Sequence, residues 1–595
     1  MNAHAHRTEL LIGNGAIARG LLESGAEVVT AYPGTPSTGI LEGVLSLRER
    51  YGLDVTAQWS VNEKVAFDVA LAAAWSGKRA ATAMKQVGLN VASDSLLSAA
   101  YTGVVGGFVV IACDDPGPHS SQTEQDSRLF GLFAKVPVLD PVSPRDAGEM
   151  VRAAFDLSER HRVPVILRPT TRICHARQPV ECAPIEITPR AASFERDPGR
   201  WAATPRFRNL LHGELNEKLE SIRDEFEHSP FNVEGGNDGP APLGIVAAGH
   251  AWGTVRDLLH EEGLDIPVLR IGTPHPLPLG RVERFIGRCE RVLILEEPDF
   301  AIEIQLADRS KVEGRLSGHV PAQGELTPEV LARLLGRPTP ERPEPPGVRP
   351  ELCAACGHRA AFFAMRMALP KAIFCGDIGC YTLGINQEAL DTCLDMGASI
   401  TLAEGFHLAH RGGKKDVPVV AVIGDSTFFH SGMTGLLNAV TNGARIIVVV
   451  LDNGLVAMTG AQPTPAEQGA HIETIARGLG VRFVETIDPY EVDALKALLK
   501  QAHDFTREPD GGVALVVARR PCALHEAPAQ DRPVYVDADL CTGCDVCLRF
   551  FGCRPLTKDP MTGKVFVDAD LCVDCGMCIP SCPYHAILPL EEASP

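Results

Sequence analysis

The stretch 417-VPVVAVIGDSTFFHSG-432, followed about 25 residues beyond its Gly-Asp by 445-RIIVVVLDNG-454, decides the fold. Both runs read as strands buried on two faces, the pattern of a parallel sheet covered by helices. They stop abruptly, at Gly424-Asp425-Ser426 and at Asp452-Asn453-Gly454. In a parallel sheet the carboxyl ends of neighbouring strands share one edge, where ligands bind beside helix N-termini. Asp425 and Asn453 offer hard oxygen ligands suited to magnesium, and the backbone carbonyl of Leu455 could complete the protein's share. Gly424 is expected to let the backbone approach a phosphate closely. A helix expected to begin near Ser431 would aim its free amides at the anion. A strand ending in Gly-Asp is common by itself, so the inference rests on its pairing with Asp-Asn.

Outward from this pair, the same alternation of helix and β-branched run fills most of the chain. Between Leu10 and Arg190, helices at Ala16 to Ser24, Lys64 to Trp75 and Val91 to Tyr101 are followed by strands at Glu27 to Tyr32, Arg79 to Met84 and Gly107 to Cys113. That rhythm predicts parallel βαβ units over residues 1–190. Residues 191–240 are rich in Arg and Glu and end in NVEGGNDGPAP, which reads as a linker with one helix at Leu215 to Glu227. A smaller α/β unit is expected over 241–340. The proline-rich text 337-RPTPERPEPPGVRPE-351 then marks a boundary, and a third α/β unit occupies 341–525. No period of 20 to 50 residues is visible apart from a cysteine motif that occurs twice.

That motif fills the last segment, 530–595, as Cys541-x2-Cys544-x2-Cys547-x5-Cys553 and Cys572-x2-Cys575-x2-Cys578-x3-Cys582-Pro583. Three thiolates at intervals of three can wrap one face of an iron-sulfur cube, and in two-cluster ferredoxins the fourth ligand comes from the other motif. This assigns Cys541, Cys544, Cys547 and Cys582 to one 4Fe-4S cluster and Cys572, Cys575, Cys578 and Cys553 to a second. The first motif departs from the bacterial pattern, with five residues before Cys553 and Arg554 before Pro555. Paired zinc sites or disulfides are the bland alternatives.

Composition narrows the class. The 595 residues are 45% hydrophobic, as in ordinary soluble globular proteins. No apolar run reaches the ~18 residues of a membrane span, and MNAHAHRTELLIGNG lacks a signal peptide's layout, so a cytoplasmic protein without a membrane partner is expected. A formal charge of -19 argues against nucleic acid as a partner. The cysteines outside the terminal module are scattered rather than framed for disulfides, in keeping with a reducing compartment.

The Gly-Asp and Asp-Asn pair resembles the magnesium and diphosphate motif of thiamine diphosphate enzymes, with Ser426 in place of the usual third glycine, Asp452 in place of the first asparagine, and Asn453 kept. Thiamine chemistry also needs a carboxyl group against the cofactor's pyrimidine. Glu63, in 60-SVNEKVAFDVALAAA-74, is the candidate; a plain helix start with Asn62 as its cap is the competing reading.

Taken together, YPGTPST (32–38), WSVNEK (59–64), MKQVGLN (84–90), HSSQTEQDSR (119–128), ELCAACGHRA (351–360), GDIGCYTLG (376–384), GDSTFFHSG and LDNGLVAMTG resemble the large, α, subunits of indolepyruvate ferredoxin oxidoreductases, within the thiamine diphosphate-dependent 2-oxoacid ferredoxin oxidoreductases. The resemblance spans residue 10 to the last cysteine. It implies an α/β multidomain architecture: Rossmann-like pyrimidine-binding (1–190) and diphosphate-binding (341–525) domains, a transketolase C-terminal-like domain (241–340) and a bacterial-type two-cluster ferredoxin domain (530–595). The implied activity is oxidative decarboxylation of an aryl 2-oxoacid with coenzyme A to an aryl-acetyl-CoA and CO2, electrons leaving through 4Fe-4S clusters to ferredoxin. A smaller β subunit is the implied partner, in a hetero-oligomer such as α2β2.

Residue by residue, the resemblance makes Glu63 the pyrimidine-contacting glutamate and places Thr35 at the substrate carboxylate. It puts Arg128 where related enzymes hold a carboxylate-binding arginine, against the alternative of an ion pair with Asp126 or Glu124. Gly424, Asp425, Ser426, Asn453, Leu455, Thr459 and Gly460 become cofactor contacts. Met458 stands where pyruvate enzymes carry an asparagine, which fits a bulkier oxoacid or plain packing. Cys353, Cys356, Cys380 and Cys522 match positions that hold a third cluster near thiamine in related enzymes, with a buried or redox pair as the alternative. The other six cysteines, Cys113, Cys174, Cys182, Cys289, Cys375 and Cys393, are taken as small core residues. Two other functions stay open: a non-oxidative thiamine-dependent decarboxylase or acyloin synthase, and an electron-transfer scaffold without catalysis.

Overall fold

The computed structural model describes residues 7–202, 204–339, 349–410 and 417–590. The chain divides into two units, Met1–Pro343 and Glu344–Pro595. Most of the proline-rich segment read as a boundary lies outside the described residues.

In the first unit, six parallel strands lie in the order Thr56–Trp59, Val28–Ala31, Ala80–Lys85, Phe108–Cys113, Val165–Leu167, Val138–Leu139. Every residue of Ala80–Lys85 and Phe108–Cys113 is buried, because helices cover both faces of a sheet whose strands are joined by crossovers. A second sheet in this unit runs Val312–Glu313, Cys289–Leu295, Ala241–Ala248, Val268–Ile271, Glu234–Gly235, parallel except for its last strand.

The stretch expected as a linker is more ordered than its composition suggested. Its helix spans Pro205–Phe226 rather than Leu215 to Glu227. Leu211, Leu215, Leu219, Ile222 and Phe226 make one buried stripe at helical spacing, and three of them join the core of the six-stranded sheet. Charged residues on the outer face had masked that stripe.

The second unit is built on another six-stranded parallel sheet, in the order Thr392–Cys393, Ile373–Gly376, Val419–Gly424, Ile447–Asp452, Ala514–Arg519, Phe483–Ile487. The two strands that opened the reading pair side by side, with Gly424 opposite Leu451. Beyond this sheet the cysteine-rich segment forms two antiparallel ribbons, Val534–Val536 with Ile587–Pro589 and Leu556–Lys558 with Val565–Val567. It shares a hydrophobic core with the sheet: Phe551, Leu556, Met577 and Ile587 pack in one cluster with Phe362, Phe374, Val420 and Val449. Phe551 is fully buried and meets Phe363 edge-on, ring centroids 5.8 Å apart. The cysteine module is therefore fastened to the sheet rather than tethered to it.

Candidate active site and cysteine quartets

At the sheet edge of the second unit, Asp425 Oδ2 accepts a hydrogen bond from the Gly454 amide at 3.0 Å, and Asp452 Oδ1 accepts from the same amide at 3.2 Å. Asp452 is paired with Arg519, whose Nε lies 2.6 Å from its Oδ2. Asp425 is 2% exposed, and burial, then the nearby charge of Asp452, push its carboxyl well above the usual range. A divalent cation would relieve both effects, so this donor set fits magnesium. Asn453 Oδ1 accepts from the Leu455 amide at 3.3 Å in a tight turn that brings Asn453 and Leu455 together, and Gly454 takes φ 80 there. Thr459 is held by Gln462 at 2.6 Å; Gly460 turns the chain with φ 126.

One detail of the clamp differs from expectation. Helical structure begins at Asp425, directly after the strand, rather than near Ser431, because no breaker separates the two; a wide turn at Phe428–Gly432 continues into Met433–Thr441. Ser426 thus lies in the first turn. Gly424 also lies against Tyr381: a Cβ there would stand 2.2 Å from the Tyr381 ring. Tyr381 is fixed by its hydroxyl, 2.6 Å from the Ile378 carbonyl.

In the first unit, Glu63 opens the helix Glu63–Trp75 beyond the Asn62 cap, whose side chain accepts from the Lys64 amide at 2.8 Å. Glu63 is nevertheless 6% exposed, and Gly88 lies against it; a Cβ at Gly88 would come 2.7 Å from Glu63 Oε1. A carboxylate at a helix start ordinarily faces water, so this burial favours the site reading over simple capping. Thr35 precedes Pro36 in a cis peptide, and its carbonyl accepts from Ser120 Oγ at 3.4 Å. Ser120 in turn receives the Lys85 ammonium, at 2.8 Å on its carbonyl and 3.1 Å on its hydroxyl. Burial pulls Lys85 down to about 8 although Asp115 opposes this. Lys85 and Gly88 were missed as site residues. Their signal was the MKQVGLN motif, quoted for its likeness without roles.

Arg128 does not present an open fork. It is fully buried, with Nε 2.9 Å from Asp126 Oδ1, Nη2 2.5 Å from Asp126 Oδ2, and Nη1 3.3 Å from Glu296 and 3.7 Å from Asp140. Arg168 stands beside it, paired with Asp114 at 2.6 Å and Asp140 at 3.4 Å. Asp114, Asp140, Arg168 and Glu296 each follow the carboxyl end of a strand, so this lattice pins together the edges of the two sheets. Burial raises Asp140 to about 6 and Glu296 to about 7, against the pull of the arginines. The ion pair with Asp126 replaces the carboxylate-binding role read for Arg128. Met458 is 53% exposed.

The cysteines gather into three quartets, all in the second unit. Cys541, Cys544, Cys547 and Cys582 surround one void, and Cys553, Cys572, Cys575 and Cys578 another. Burial, then the neighbouring thiols of its quartet, push Cys547 up to about 11, and Cys578 rises for the same reasons. Cys353, Cys356, Cys380 and Cys522 line a cavity of about 330 Å³ together with Asn453, Leu455 and Gly460 of the clamp. Burial pushes Cys380 up to about 12, with Cys356, Cys522 and Cys353 adding to it. Among the described residues no three His, Cys, Asp or Glu stand as close as the ligands of a single metal ion. Each quartet is spread around a space, as a many-atom cluster requires. Of the cysteines read as core, Cys113, Cys174, Cys182, Cys289 and Cys375 are buried, whereas Cys393, on the edge strand, is exposed.

Comparison with known proteins adds three matched families. Residues 19–217 match the pyruvate flavodoxin/ferredoxin oxidoreductase thiamine diphosphate-binding family, residues 377–518 the C-terminal domain of thiamine pyrophosphate enzymes, and residues 565–588 the 4Fe-4S binding domain. The chain is similar to the indolepyruvate oxidoreductase subunit IorA of Thermococcus kodakarensis, at 42% identity over 98% of this chain and 97% of that one. It is 39% identical to the IorA subunit of Methanothermobacter thermautotrophicus over 99% and 98%. A 2-oxoglutarate:ferredoxin oxidoreductase from Magnetococcus marinus, solved with 2-oxoglutarate, coenzyme A and succinyl-CoA, overlaps 55% of this chain and 65% of its own, at 19% identity and a TM-score of 0.45.

Proposed function

This chain belongs to the family of indolepyruvate oxidoreductase IorA subunits, and from that premise we propose that it is the α subunit that oxidatively decarboxylates aryl 2-oxoacids, indolepyruvate among them, to aryl-acetyl-CoA and CO2. The family is one of thiamine-dependent 2-oxoacid:ferredoxin oxidoreductases with a 4Fe-4S domain. A β subunit completes the enzyme in a hetero-oligomer such as α2β2, ferredoxin takes the electrons, and the cytoplasm is its compartment. The proposed domains are a pyrimidine-binding domain over 1–190, extended by the helix Pro205–Phe226 whose buried stripe joins its core, a transketolase C-terminal-like domain over 241–340, a diphosphate-binding domain over 341–525 and a ferredoxin domain over 530–595.

One observation carries the reading: the inner quartet, Cys353, Cys356, Cys380 and Cys522, lines the same cavity as Asn453, Leu455 and Gly460, so an electron carrier would begin where the cofactor's diphosphate is gripped. When bound, thiamine diphosphate supplies the nucleophilic carbon and the electron sink for decarboxylation. Asp425, Asn453 and the Leu455 carbonyl would hold its magnesium, and Ser426, Thr459 and Gly460 would flank the diphosphate. Glu63, buried with Gly88 lying against it, would contact the pyrimidine. Lys85, poised through Ser120 beside Thr35, takes over the carboxylate-binding role withdrawn from Arg128. Met458 offers an apolar contact for a large side chain. The three quartets would hold three 4Fe-4S clusters, about twelve irons per chain. A non-oxidative decarboxylase would leave the two terminal quartets without a task.

The test is anaerobic turnover of indolepyruvate, phenylpyruvate, pyruvate and 2-oxoglutarate with coenzyme A and a viologen dye, the β subunit present. Dye reduction is expected to be fastest with the aryl acids and lost in Glu63→Ala with its iron spectrum intact. Preference for pyruvate, or normal turnover by the variant, would overturn the proposal.

A further inference from the structure

Arg359 is a fully buried cation in the first turn of the helix Gly357–Ala368. Its Nη1 donates to the carbonyls of Phe551, at 2.9 Å, and Gly552; its Nη2 donates to those of Leu352 and of Cys353, at 3.3 Å. Leu352 and Cys353 lead into the loop of the inner quartet, whereas Phe551 and Gly552 lead into Cys553 of the quartet with Cys572, Cys575 and Cys578. One guanidinium thus grips the approach to both. All these partners are neutral oxygens. Among the described residues no carboxylate pairs with Arg359, and its buried Nε has no acceptor. A buried cation held only by carbonyls is strongly disfavoured unless negative charge lies nearby. What lies nearby is thiols: Arg359 acts electrostatically on Cys356 of one quartet and on Cys553 of the other.

The loop between the two quartets has two faces. Cys353 and Cys356 line the inner cavity, while Ala354 and Ala355 line the void around Cys553, Cys572, Cys575 and Cys578. Ala355 takes φ 58, a strained value for a residue with a Cβ. Its carbonyl accepts from Tyr490 Oη at 2.7 Å, and Arg520, another lining residue of the inner cavity, stacks on the Tyr490 ring 3.5 Å from its centroid. The backbone is thereby bolted in place between two cluster-sized spaces.

We propose that Arg359 is the shared counter-ion of the inner cluster and the Cys553 cluster, and that the Cys353–Cys356 loop it grips is the bridge along which single electrons cross between them. This rests on the reading of both quartets as 4Fe-4S sites. In each crossing the inner cluster is oxidised by one electron and the Cys553 cluster is reduced by one; no bond or proton moves. Arg359 is a positioning residue: it touches no substrate, and its charge favours the added electron on either side of the loop.

The experiment compares wild type, Arg359→Gln and Arg359→Lys as anaerobically isolated complexes with the β subunit, by iron analysis, redox titration with electron paramagnetic resonance, and freeze-quench after mixing with indolepyruvate. Arg359→Gln is expected to lower the reduction equilibria of both clusters at least tenfold, about 59 mV for a one-electron couple. The cluster held by Cys541, Cys544, Cys547 and Cys582 should stay unchanged as an internal control. Because both potentials fall together, the driving force between the two clusters is unchanged, and the transfer from the inner cluster to the Cys553 cluster should slow by about tenfold through the lost grip on the loop; Arg359→Lys, which keeps the charge, should recover most of the equilibrium shift. Full iron with both potentials unmoved, or only one moved, overturns the proposal. Iron loss in both variants also overturns it, since carbonyl geometry rather than charge would then be what the site needs. Wild type with about eight irons is a different failure, that of the inner cluster itself.

Discussion

Arg128 and Arg359 are both fully buried, yet their surroundings are opposite. Arg128 sits in the first unit among Asp126, Asp140 and Glu296, with Arg168 and Asp114 completing a lattice of fixed charges. Arg359 sits in the second unit among four carbonyls. The chain neutralises the first cation from its own side chains and, on the proposal above, leaves the second to thiolates on iron. Lys85 falls between them: buried, bonded to Ser120, with Asp115 acting on it and, among the described residues, no carboxylate in an ion pair with its ammonium. A buried cation with its own carboxylates marks a structural joint. One without them marks a place where a ligand or cofactor brings the missing charge.

The contrast can be broken at Arg128 first. Arg128→Met leaves the buried Asp126 without its cation and Asp140 with Arg168 alone, and is expected to destabilise the folded chain by about 3–5 kcal/mol in denaturant unfolding; a loss under about 1 kcal/mol would deny the lattice its structural role.

The lattice should also respond to pH. Glu296 holds its proton up to about 7, above its ordinary 4.5. Its contribution to stability is therefore full below about pH 4.5 and lost as pH rises through about 7, an effect on the order of 2–3 kcal/mol. Wild type should lose stability relative to Glu296→Gln between pH 5 and pH 8, and parallel curves would contradict this.

Lys85→Met sharpens the intermediate case. It should leave the unfolding midpoint nearly unmoved while lowering kcat/KM for the 2-oxoacid by roughly 10- to 100-fold, the worth of one hydrogen bond to a charged group at about 1.5–3 kcal/mol. Unchanged kinetics would return Lys85 to a purely structural role.

The smallest effect is expected at Arg359 once the clusters are gone. In iron-stripped protein Arg359→Gln removes a cation that nothing compensates, so stability should change by less than about 1 kcal/mol or rise. A loss as large as that of Arg128→Met would make the two arginines equivalent.

Much of this was legible in linear text. Val419–Gly424 and Ile447–Asp452 could be read as neighbouring parallel strands because continuous burial leaves a continuous apolar run. Eight terminal cysteines could be divided into two crossed quartets because ligation at intervals of three is a local property of the chain. The helix Pro205–Phe226 was half hidden, since its charged face dominates composition while a single stripe is buried. Arg128 was misjudged for a related reason: a guanidinium suits a substrate carboxylate and a protein carboxylate equally well, and the sequence does not say which arrives.

By itself, then, the amino-acid order determined the α/β class, the strand pair with Asp425 and Asn453 at its edge, and the supply of thiols, because periodicity and ligand spacing are short-range. Only the tertiary structure decided which charges face each other. It set Asp126, Asp140 and Glu296 around Arg128, pressed Tyr381 onto Gly424, and brought Cys353, Cys380 and Cys522 to one cavity across more than a hundred residues. Electrostatic partners are chosen by distance through space and by exclusion of water, and neither quantity is written in the order of residues along a chain.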